Sequence, residues 1–386
     1  MPAATFYKAQ QSEEYKMQDT MGIILTESDD VTLRELTEVR SRAALPVAGR
    51  YRLIDFVLSG MVNSGIINVG VATKNKYSSL MDHLGAGSPW DLQREHYGLF
   101  MLPPYASHEK YAAMAGEIDV LMGIMPYLRR SRQKYVVLST GNTICNITFD
   151  EALREHKTKG ADITVIYREE NTPGDGERLI LETDDVGRIT DLSHGPLRRT
   201  GLLAGMDMYI MEKELLIRIC EAAYARGEHS FVMDALVRNA HTMRMYGWEY
   251  KGYAGRVDSV ASYFACNMEI LREDVQTALF RQEDEIFTKV KHLAPTRYGD
   301  GAEITNCLIA DGCNIEGSAE NCIIFRGVKL GKHAQLRNCI IMEKTHIDTG
   351  CEAENVIFDK ECLMREGKRL MGQPNYPIII RKGAVI

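Results

Sequence analysis

A short motif that recurs near the end of the chain restricts the possible folds more than any other feature of the sequence. In each copy, asparagine is followed by cysteine or, in the last copy, by valine, and successive copies are 15, 17 and 17 residues apart. A period near 17 residues corresponds to about three six-residue faces and is typical of a triangular parallel β-helix. A β-sandwich, the alternative fold, gives no reason to keep one dipeptide at one spacing. The copies are Asn306-Cys307, Asn321-Cys322, Asn338-Cys339 and Asn355-Val356.

The residues between these copies support the same fold. Each interval contains a short run of β-branched residues and small turn residues such as Gly312, Gly327 and Gly350. Six of the nine cysteines fall in this region, and no C-x-x-C pair occurs, which argues against a structural zinc site. We expect these cysteines to be buried, reduced and stacked with the asparagines in interior ladders. The terminal coils need a cover, so we expect them to dock on the preceding domain or on another subunit.

The part of the chain before the repeats alternates apolar strands with helical patterns. One helical pattern ends near Gly65, a plausible residue after a helix C-terminus, and another helix is predicted from about Glu117 to Arg130. Strands separated by helices indicate a mainly parallel α/β sheet that is covered on both faces. Ligands of such sheets bind at the carboxyl ends of the strands, so a site is expected after Leu25 and Leu138. The predicted strands are residues 21–25, 67–72, 135–138 and 163–167.

Length and composition favour a soluble protein of two domains. The chain has 386 residues, and its 45% hydrophobic content is enough for a sizeable core. The net charge of −7 argues against a nucleic-acid-binding protein. No apolar run approaches the ~20 residues that span a bilayer, and the polar start lacks a signal peptide, so we expect no membrane partner and a cytoplasmic location. We predict a flexible extension at 1–20, an α/β domain at 21–285 and a β-helix at 286–386.

The run from Leu33 to Phe56 is the most specific feature of the α/β domain. It reads LRELTEVRSRAALPVAGRYRLIDF. This run resembles the motif L-x-x-L-T-x-x-R-A-K-P-A-V-x-F-G-G-K-[FY]-R-I-I-D-F of the glucose-1-phosphate adenylyltransferases (ADP-glucose pyrophosphorylases), and the match continues without a gap through Ile66. The resemblance extends over roughly residues 20–386. It implies a Rossmann-like nucleotidyltransferase domain followed by a left-handed parallel β-helix, a tetrameric assembly and a place in glycogen or starch synthesis.

The resemblance also implies a reaction with clear chemical requirements. In that family, an oxygen of a sugar phosphate attacks the α-phosphate of ATP, and pyrophosphate leaves. A glycine-rich loop lets backbone N–H groups approach the triphosphate, carboxylates hold Mg²⁺, and basic side chains neutralise the phosphates. The residues of this chain at the matching positions decide whether these requirements are met.

The glycine-rich phosphate loop is missing after the first predicted strand. The family motif L-A-G-G-x-G-T-R-L aligns with residues 25–33, which read LTESDDVTL and contain no glycine. Glu27, Asp29 and Asp30 bring negative charge to the place of a polyanion, and Thr32 replaces the family's arginine. We expect the segment to exclude a triphosphate in the usual pose. It is either an acidic surface turn that caps a helix or a new metal site.

Two positions that hold metal-binding aspartates in the family carry other residues here. The aspartate of the motif L-A-G-D-H aligns with Asn142, and that of W-R-D-V-G-T aligns with Arg256. Unit charges ~4 Å apart at an effective dielectric of ~20 interact by about 4 kcal/mol, and Arg256 would repel a dication about twice as strongly. Asp258 is the alternative ligand, although it is displaced by about 7 Å along a strand. We predict no metal and no cofactor on this chain, with Mg²⁺ only in a catalytic partner.

The sugar-phosphate site is also altered. The family motif F-V-E-K-P aligns with residues 192–196, so Gly195 replaces the lysine that meets the hexose phosphate. His194 is either a substitute cation below neutral pH or an exposed histidine in a Gly-Pro turn. Asp119 matches a carboxylate of the family motif G-T-A-D, but one retained carboxylate does not make a site.

A basic cluster remains in the matched run. It consists of Arg40, Arg42, Arg50 and Arg52, and Arg40 and Arg52 match positions that help to bind anionic effectors in this family. The four arginines are therefore candidate ligands of a phosphate or sugar-phosphate effector. The alternative interpretation is that they form salt bridges with some of the 53 carboxylates of the chain.

These substitutions predict a non-catalytic, regulatory-type subunit in glycogen biosynthesis. Three separate requirements of adenylyl transfer fail at Thr32, Asn142, Gly195 and Arg256, so the chain alone is expected to be inactive or nearly so. We expect it to join a catalytic homologue in a heterotetramer and to change that partner's affinity for substrates or effectors.

Two other functions remain open from the sequence. One is an active nucleotidyltransferase with rearranged ligands, namely Asp119, Asp258 and His194. The other is a free-standing sensor that recognises a phosphorylated metabolite through Arg40 and Arg52. Metal-dependent binding of ATP would favour the first, and effector binding by a chain that does not associate with a homologue would favour the second.

Overall fold

The computed structural model describes residues 18–26, 31–103, 116–172, 174–281 and 283–386. Residues 1–17 of the predicted N-terminal extension lie outside the described residues, whereas Thr20 is already the first residue of a buried strand. Within the described ranges, no helix is long and apolar enough to cross a membrane.

The first domain is built on a mixed, mostly parallel sheet that contains all the predicted strands. Its strands, with those of two small side sheets, are β1 (Thr20–Thr26), β2 (Pro46–Val47), β3 (Tyr51–Arg52), β4 (Asn68–Thr73), β5 (Gly98–Leu102), β6 (Tyr135–Thr140), β7 (Thr143–Cys145), β8 (Ile163–Glu170), β9 (Gly174–Thr183), β10 (Ile189–Leu197), β11 (Leu202–Glu212), β12 (Met245–Glu249) and β13 (Ala254–Arg256). The main sheet runs β10-β9-β11-β6-β1-β4-β5, and β8 joins β11 to β12. β1 pairs in parallel with β4 and β6, whereas β11 runs antiparallel to β6 and β8.

Helices cover both faces of the main sheet. The α-helices are α1 (Leu53–Asn63), α2 (Ser78–Leu84), α3 (Glu117–Gly123), α4 (Met125–Arg130), α5 (Asp150–Lys159), α6 (Lys213–Ala225), α7 (Val260–Glu269) and α8 (Glu273–Leu279), and the 3-10 or π segments are Val31–Thr37, Arg42–Ala44, Ser88–Trp90, Phe231–Leu236 and Val237–Asn239. α1 and α5 pack on the face that carries Ile24, and α3, α4 and α6 pack on the face that carries Ile23. Because both faces are covered, β1 is buried along its whole length, which explains its run of apolar residues.

The single helix predicted from about Glu117 to Arg130 is two helices. α3 ends at Gly123 and α4 begins at Met125, and Ile124 between them has φ −101° and ψ 7°. Pro126 lies in the first turn of α4, where an N–H group has no partner within the helix, but its ring and missing N–H stop α3 from continuing. The single-helix prediction was therefore wrong. The apolar residues keep a helical spacing through both helices, and for this reason the sequence suggested one helix. Pro126 is the residue that ends the first helix and begins the second.

Residues from Arg297 onward form the predicted left-handed parallel β-helix. Its strands are β14 (Arg297–Tyr298), β15 (Glu303–Thr305), β16 (Leu308–Ile309), β17 (Asn314–Ile315), β18 (Ser318–Glu320), β19 (Ile323–Ile324), β20 (Lys329–Leu330), β21 (Gln335–Arg337), β22 (Ile340–Ile341), β23 (His346–Ile347), β24 (Glu352–Glu354), β25 (Val356–Phe358), β26 (Leu363–Met364), β27 (Arg369–Met371) and β28 (Ile378–Ile380). They form three parallel sheets of five strands, ordered β14-β17-β20-β23-β26, β15-β18-β21-β24-β27 and β16-β19-β22-β25-β28. Each coil thus contributes one strand to each face, as the period near 17 residues predicts.

The recurring dipeptide forms ladders at one corner of the coils. Its four asparagines have φ between 49° and 53°, a left-handed conformation that asparagine adopts more readily than most residues. The side-chain amide of Asn306 donates to that of Asn321 at 2.7 Å. The backbone N–H groups of Cys322 and Cys339 donate to the sulfur one coil earlier, at 3.3 and 3.4 Å. The predicted interior ladder is confirmed for the buried Cys322 and Cys339, whereas Asn306 is exposed and Asn321 and Asn338 are only partly buried, so the asparagines stack at the corner and not in the interior.

The β-helix docks on the first domain through one of its flat sides. Along the sheet that contains β19 and β22, successive side chains point alternately into the helix and outward. The outward-facing Ile323, Phe325, Ile340 and Met342 are each at most 1% exposed and join an apolar cluster with residues of α1, α7 and α8. Docking on the preceding domain is therefore confirmed, and it is made through this flat side as well as through the last coil, where Tyr376 meets Arg34. Apolar residues recur once in each coil, so they form a stripe along the side.

The connector between α8 and β14 is attached to α1. The backbone N–H of Phe287 donates to the Ser59 hydroxyl at 2.9 Å, and the Thr288 hydroxyl donates to the Asp55 carboxylate at 2.6 Å. The predicted boundary between residues 285 and 286 falls within this connector. These contacts fix the point at which the chain leaves the first domain and enters the β-helix.

Candidate functional site

A cavity of about 880 Å³ opens at the carboxyl ends of β1 and β6. Leu25 and Thr140 line it from these strands, the start of α3 contributes Glu117, and the loop before α7 contributes Asp258. Ligands of α/β sheets bind at this position. The cavity, here called the cleft, is therefore the candidate site, at the edge of the sheet that the sequence indicated.

Residues 31–37, which follow β1 beyond the undescribed residues 27–30, do not form a regular helix N-terminus at the cleft. Glu27, Asp29 and Asp30, predicted as an acidic turn or a metal site, lie outside the described residues. The following residues form a 3-10 segment, Val31–Thr37, which is interrupted at Arg34 with φ 50° and ψ −127°. A phosphate site at a helix N-terminus needs several aligned N–H groups, and this broken segment does not supply them.

Thr32, at the position of the family's arginine, is held by the opposite wall of the cleft. Its hydroxyl donates to the backbone carbonyl of Asp258. The contact joins the segment after β1 to the loop before α7 and puts a neutral side chain where the family has a cation. The position therefore contributes no positive charge for a phosphate.

Asn142 uses its side-chain oxygen as an acceptor for two threonine hydroxyls. The side chain is 2% exposed, and its oxygen accepts hydrogen bonds from the hydroxyls of Thr140 (2.7 Å) and Thr143 (3.1 Å). Its nitrogen is buried without a hydrogen-bond partner among the described residues. An amide that directs its donor inward and uses its acceptor for threonines is a poor ligand for a cation.

A network of two arginines and two aspartates lies where the family's metal carboxylates would be. Arg256 forms an ion pair with Asp207, and its Nε lies 3.8 Å from the Asp258 carboxylate. Arg178 donates to the same carboxylate at 2.7 Å. The two positive and two negative charges alternate, so the network as a whole is neutral. It leaves neither the excess of carboxylates that a dication needs nor the excess of cations that a triphosphate needs.

The environment of the network keeps the Asp258 carboxylate ionised. Burial raises the pKa of the Asp258 carboxyl, but Arg178 and Arg256 outweigh this effect and hold the pKa below its ordinary value. Burial and the neighbouring Arg256 lower the pKa of Arg178, while Asp258 opposes the change. At neutral pH, the carboxylate is therefore ionised and is occupied by guanidinium groups. Asp258, the alternative metal ligand, is not available as a free carboxylate.

Sequence reasoning missed Asp207 and Arg178, two of the four network members. The pairing of β11 with β8 shifts between Gly205 and Met208, and Asp207 within this bulge has φ 55°. Asp207 lies on the same face of β11 as Tyr209, which also lines the cleft, and the bulge sets its position there. Arg178 comes from β9, which reaches the cleft only by pairing with β11. No local pattern in the sequence marks either residue.

His194 and Gly195 lie in a strand and not in the predicted Gly-Pro turn. Within β10, His194 is opposite Leu179 and Gly195 is opposite Arg178 of β9. The long antiparallel pairing of these strands overrides the turn preference of Gly-Pro. His194 lines the cleft 3.7 Å from the carboxylate of Glu177, and no atom lies within 4 Å of a Cβ added at Gly195. The lysine position is thus open and carries no charge.

Asp119, the retained carboxylate, has a structural role. Its side chain accepts a hydrogen bond from the backbone N–H of Gly116 at 3.0 Å at the start of α3, and it contacts the His229 ring at 2.9 Å. Asp119 therefore caps the start of α3, and its carboxylate is occupied by Gly116 and His229. Among the residues that the structure describes, no group of three or more His, Cys, Asp or Glu side chains is placed to hold a metal ion.

Comparisons with known proteins agree with the two-domain architecture. Residues 21–271 match the nucleotidyl transferase family, and residues 291–374 match the GlmU-like C-terminal hexapeptide family. The chain is 40% identical over 373 residues to the glycogen biosynthesis protein GlgD of Geobacillus stearothermophilus, covering 95% of this chain and 96% of the relative. It is 36% identical over 365 residues to GlgD of Bacillus subtilis, with the same coverage. The chain belongs to the GlgD family of glycogen biosynthesis proteins.

The catalytic relatives of this GlgD-family chain are more distant. A glucose-1-phosphate adenylyltransferase of Thermosipho africanus is 31% identical over 320 residues, which cover 82% of this chain and 77% of the relative. The resemblance inferred from the run between Leu33 and Phe56 is thus confirmed, and the GlgD proteins are more similar to this chain than the adenylyltransferase is.

The four candidate effector arginines of this GlgD-family chain do not form one cluster. Arg42 lines the cleft, whereas Arg50 is exposed, with its guanidinium 5.5 Å from the ring of Tyr51. Arg40 and Arg52 are buried near the junction between the two domains. Arg40 and Arg52 thus remain near each other, whereas Arg42 and Arg50 are directed elsewhere by a 3-10 segment and a tight β2–β3 hairpin, and the effector role of the four arginines stays a prediction.

Arg40 and Arg52 are already engaged by the protein. Nη2 of Arg40 lies 2.8 and 2.9 Å from the two carboxylate oxygens of Asp359 in the β-helix, and these side chains are 2% and 1% exposed. Nη1 of Arg52 donates to the backbone carbonyl and the hydroxyl of Ser79, both at 2.8 Å. Both arginines therefore hold elements together, and Arg40 joins the two domains directly. Of the two interpretations of the arginines, an effector site or salt bridges within the chain, Arg40 shows the second.

Proposed function

We propose that this chain is a catalytically degenerate, regulatory subunit of a glucose-1-phosphate adenylyltransferase in glycogen biosynthesis. A homologous catalytic subunit would convert ATP and glucose 1-phosphate to ADP-glucose and pyrophosphate, and it would hold the Mg²⁺ ion. The present chain would assemble with that subunit, with a heterotetramer as the expected form. It would alter the partner's affinity for substrates or for an anionic effector.

The neutral ion-pair network in the cleft is the observation that carries this proposal. Adenylyl transfer needs carboxylates free to bind Mg²⁺ and cations free to bind phosphate. Here Asp207 and Asp258 are occupied by Arg256 and Arg178, and each positive charge is offset by a negative one. A dication that approached this network would be repelled by Arg256 and Arg178 and would find both carboxylates already paired. The residues of this cleft do not fit a catalytic metal.

The intact frame around this cleft supports a role in an assembly. The sheet, its helices and the docked β-helix are retained, and the apolar cluster at the domain junction is fully formed. A chain with this frame can present the same surfaces as a catalytic homologue while lacking its chemistry. Regulation then requires that the association has different free energies in two states of the partner, which is the meaning of allosteric coupling.

The experiment is a comparison of ADP-glucose formation by three preparations: this chain alone, the catalytic homologue alone, and the two expressed together. We expect negligible activity from this chain, co-purification of the two chains, and a changed substrate affinity or effector response in the complex. Robust activity of the isolated chain would contradict the proposal. So would a complex whose kinetics equal those of the catalytic subunit alone.

A variant of the cleft separates this proposal from an active enzyme with rearranged ligands. Asp258→Asn removes the carboxylate that the rearranged enzyme would use to bind metal. A regulatory chain does not use this carboxylate in catalysis, so the activity of the complex should change by less than about twofold at unchanged assembly. Loss of the complex's activity in this variant, together with Mg²⁺-dependent ATP binding by the isolated chain in calorimetry, would favour the rearranged enzyme instead.

A further inference from the structure

Residues 32–40, here called the strap, connect the cleft with the domain junction. At one end of the strap, the Thr32 hydroxyl donates to the backbone carbonyl of Asp258 in the wall of the cleft. At the other end, Arg40 pairs with Asp359 of the β-helix at 2.8 Å. The strap is therefore attached both to the loop before α7 and to the β-helix, and it is short enough to carry a displacement from one to the other.

Arg34 is the strained residue of the strap. Its φ of 50° and ψ of −127° interrupt the 3-10 segment, and glycine adopts this region much more readily than a residue with a side chain. Leu33 and Leu36 are 0% exposed and pack in the apolar cluster of the domain junction, so the backbone between them cannot turn over without unpacking them. Residues held in such a conformation occur mainly at functional sites and in switch regions.

A loop of the last β-helix coil holds Arg34 from the outside. In the earlier coils, one or two residues connect the second strand to the third, whereas residues 372–377 make this connection between β27 and β28. The longer loop brings Tyr376 to the strap: its hydroxyl accepts a hydrogen bond from Arg34 at 2.8 Å, and the centre of its ring lies 5.4 Å from the guanidinium. Tyr376 is nevertheless 65% exposed. A surface that binds the last coil can therefore draw Tyr376 away from the strap.

The anchor at the other end acts on the ion-pair network of the cleft. The Asp258 carboxylate accepts hydrogen bonds from Arg178 at 2.7 Å and from the Ser262 hydroxyl at 3.0 Å. The backbone N–H groups of Asp258 and Ser259 donate to the Ser262 oxygen at 3.0 and 2.9 Å. Because Thr32 holds the carbonyl of the same Asp258, loss of this contact loosens the residue that neutralises Arg178.

From these contacts we propose that the strap is a conformational switch that couples the last coil of the β-helix to the cleft. While Tyr376 holds Arg34, the strained backbone keeps Thr32 against the carbonyl of Asp258, and the carboxylate stays paired with Arg178. When Tyr376 is drawn away, Arg34 relaxes, Thr32 leaves Asp258, and the loop before α7 opens more often. The inference goes beyond the proposed regulatory role and does not depend on it, because every contact lies within this chain.

The test of the coupling is hydrogen exchange of the full chain, read in peptides that cover residues 254–262. Tyr376→Ala should raise exchange there by about fivefold or more, because a loop that has lost an anchor opens more often. Tyr298→Ala is the matched control, since Tyr298 is 54% exposed in β14 at the other end of the β-helix, and it should change this exchange by less than about twofold. Unchanged exchange in Tyr376→Ala would overturn the switch.

The role of Thr32 as the link has its own test. Thr32→Val keeps the shape of the side chain and removes its hydroxyl, so it should raise exchange of residues 254–262 about as much as Tyr376→Ala does. Because both changes act through one strap, the double variant should exceed the larger single effect by less than about twofold. Effects that multiply in the double variant would show that Tyr376 reaches the cleft by another route, and the strap would then not be the link.

The strain at Arg34 is tested by comparing Arg34→Gly with Arg34→Ala. Both variants lose the guanidinium, but only glycine adopts the observed backbone conformation without strain. At an ordinary position the glycine variant is the less stable of the two. Here we expect the unfolding constant of Arg34→Gly in urea denaturation to be smaller than that of Arg34→Ala by about fivefold or more. A glycine variant that is no more stable than the alanine variant would overturn the strain on which the switch depends.

Discussion

The cleft and the domain junction both contain arginine–aspartate pairs, but the two regions place them in different environments. In the cleft, the side chains of Arg256, Asp207 and Asp258 are 21%, 13% and 22% exposed. At the junction, Arg40 and Asp359 are 2% and 1% exposed. The cleft pairs neutralise a cavity that remains open to solvent, whereas the junction pair is sealed between two domains, beside Met342 and near the ion pair of Lys360 with Glu343.

Arginine–aspartate pairs therefore have two roles in this chain: they limit ligand binding in the cleft, and they stabilise the fold at the junction. Water screens the cleft pairs, so their main effect is on what the cavity can bind and not on stability. The junction pair is almost fully desolvated, so each member depends on the other, and loss of one leaves an uncompensated buried charge. We therefore expect substitutions at the junction to act on folding and substitutions in the cleft to act on ligand binding.

The largest effect is expected for Asp359→Ala at the junction. Arg40 would remain buried without a counter-charge, so we expect a loss of about 3–5 kcal/mol in the free energy of unfolding. Urea denaturation at neutral pH measures this change. The double variant Arg40→Met/Asp359→Leu removes both charges and should recover most of the loss. A loss below about 1 kcal/mol in the single variant would show that the junction pair is as weakly coupled as a surface pair.

The next effect is a pH dependence at the same junction. Burial lowers the pKa of Lys360 to about 8, although Glu343 at 2.9 Å favours the charged form and Arg52 opposes it. Between this pKa and the unfolded value of about 10.4, the unfolded chain binds the proton more strongly, so stability due to Lys360 rises with pH and is lowest below pH 8. Relative to Lys360→Met, the wild type should gain on the order of 1–3 kcal/mol across this window.

Denaturation of both chains at pH 7.5, 9 and 10.5 measures this difference. Comparison with Lys360→Met removes the contributions of buried tyrosines and cysteines, which titrate in the same range in both chains. Lys332→Met, at an exposed lysine of the β-helix, is the matched control and should give a difference that does not depend on pH. If the stability difference between the wild type and Lys360→Met does not change with pH, the junction is more hydrated than the burial of Lys360 implies.

A smaller effect on stability is expected in the cleft. Arg256→Ala removes one cation of a partly solvated network, and Asp258 keeps its contact with Arg178, so we expect a loss of about 1 kcal/mol. Urea denaturation beside Asp359→Ala gives a direct comparison of the two regions. Equal losses in the two variants would mean that the cleft network is also a folding element, and the distinction drawn between the regions would then fail.

The smallest effect is expected where the β-helix touches the segment after β1. The guanidinium of Arg34 donates to the Tyr376 hydroxyl at 2.8 Å and lies 5.4 Å from the centre of its ring. Tyr376→Phe keeps the ring and removes the hydroxyl, so we expect a loss of about 0.5 kcal/mol, as for an exposed hydrogen bond. Thermal denaturation measures it. A loss above about 2 kcal/mol would make this contact part of the domain junction.

Much of the architecture was predictable because it depends on residues close together in the sequence. The period of the Asn-Cys dipeptide indicated the β-helix, and apolar runs such as that at Met21–Leu25 indicated the parallel strands. The altered cleft was also predictable at Asn142 and Arg256, since resemblance assigned a function to each position. The helix break at Pro126 was available from the sequence as well, but the apolar spacing concealed it.

The remaining features depend on contacts between distant parts of the chain. Asp207 reaches the cleft through a bulge in β11, and Arg178 reaches it through the pairing of β9, so neither has a local signal. Arg40 is a candidate effector ligand in the sequence and a buried partner of Asp359 in the structure, 319 residues away. Periodicity specifies which face of an element is apolar. Only the packed chain decides which charges meet, because electrostatic pairing depends on distance and burial and not on order in the sequence.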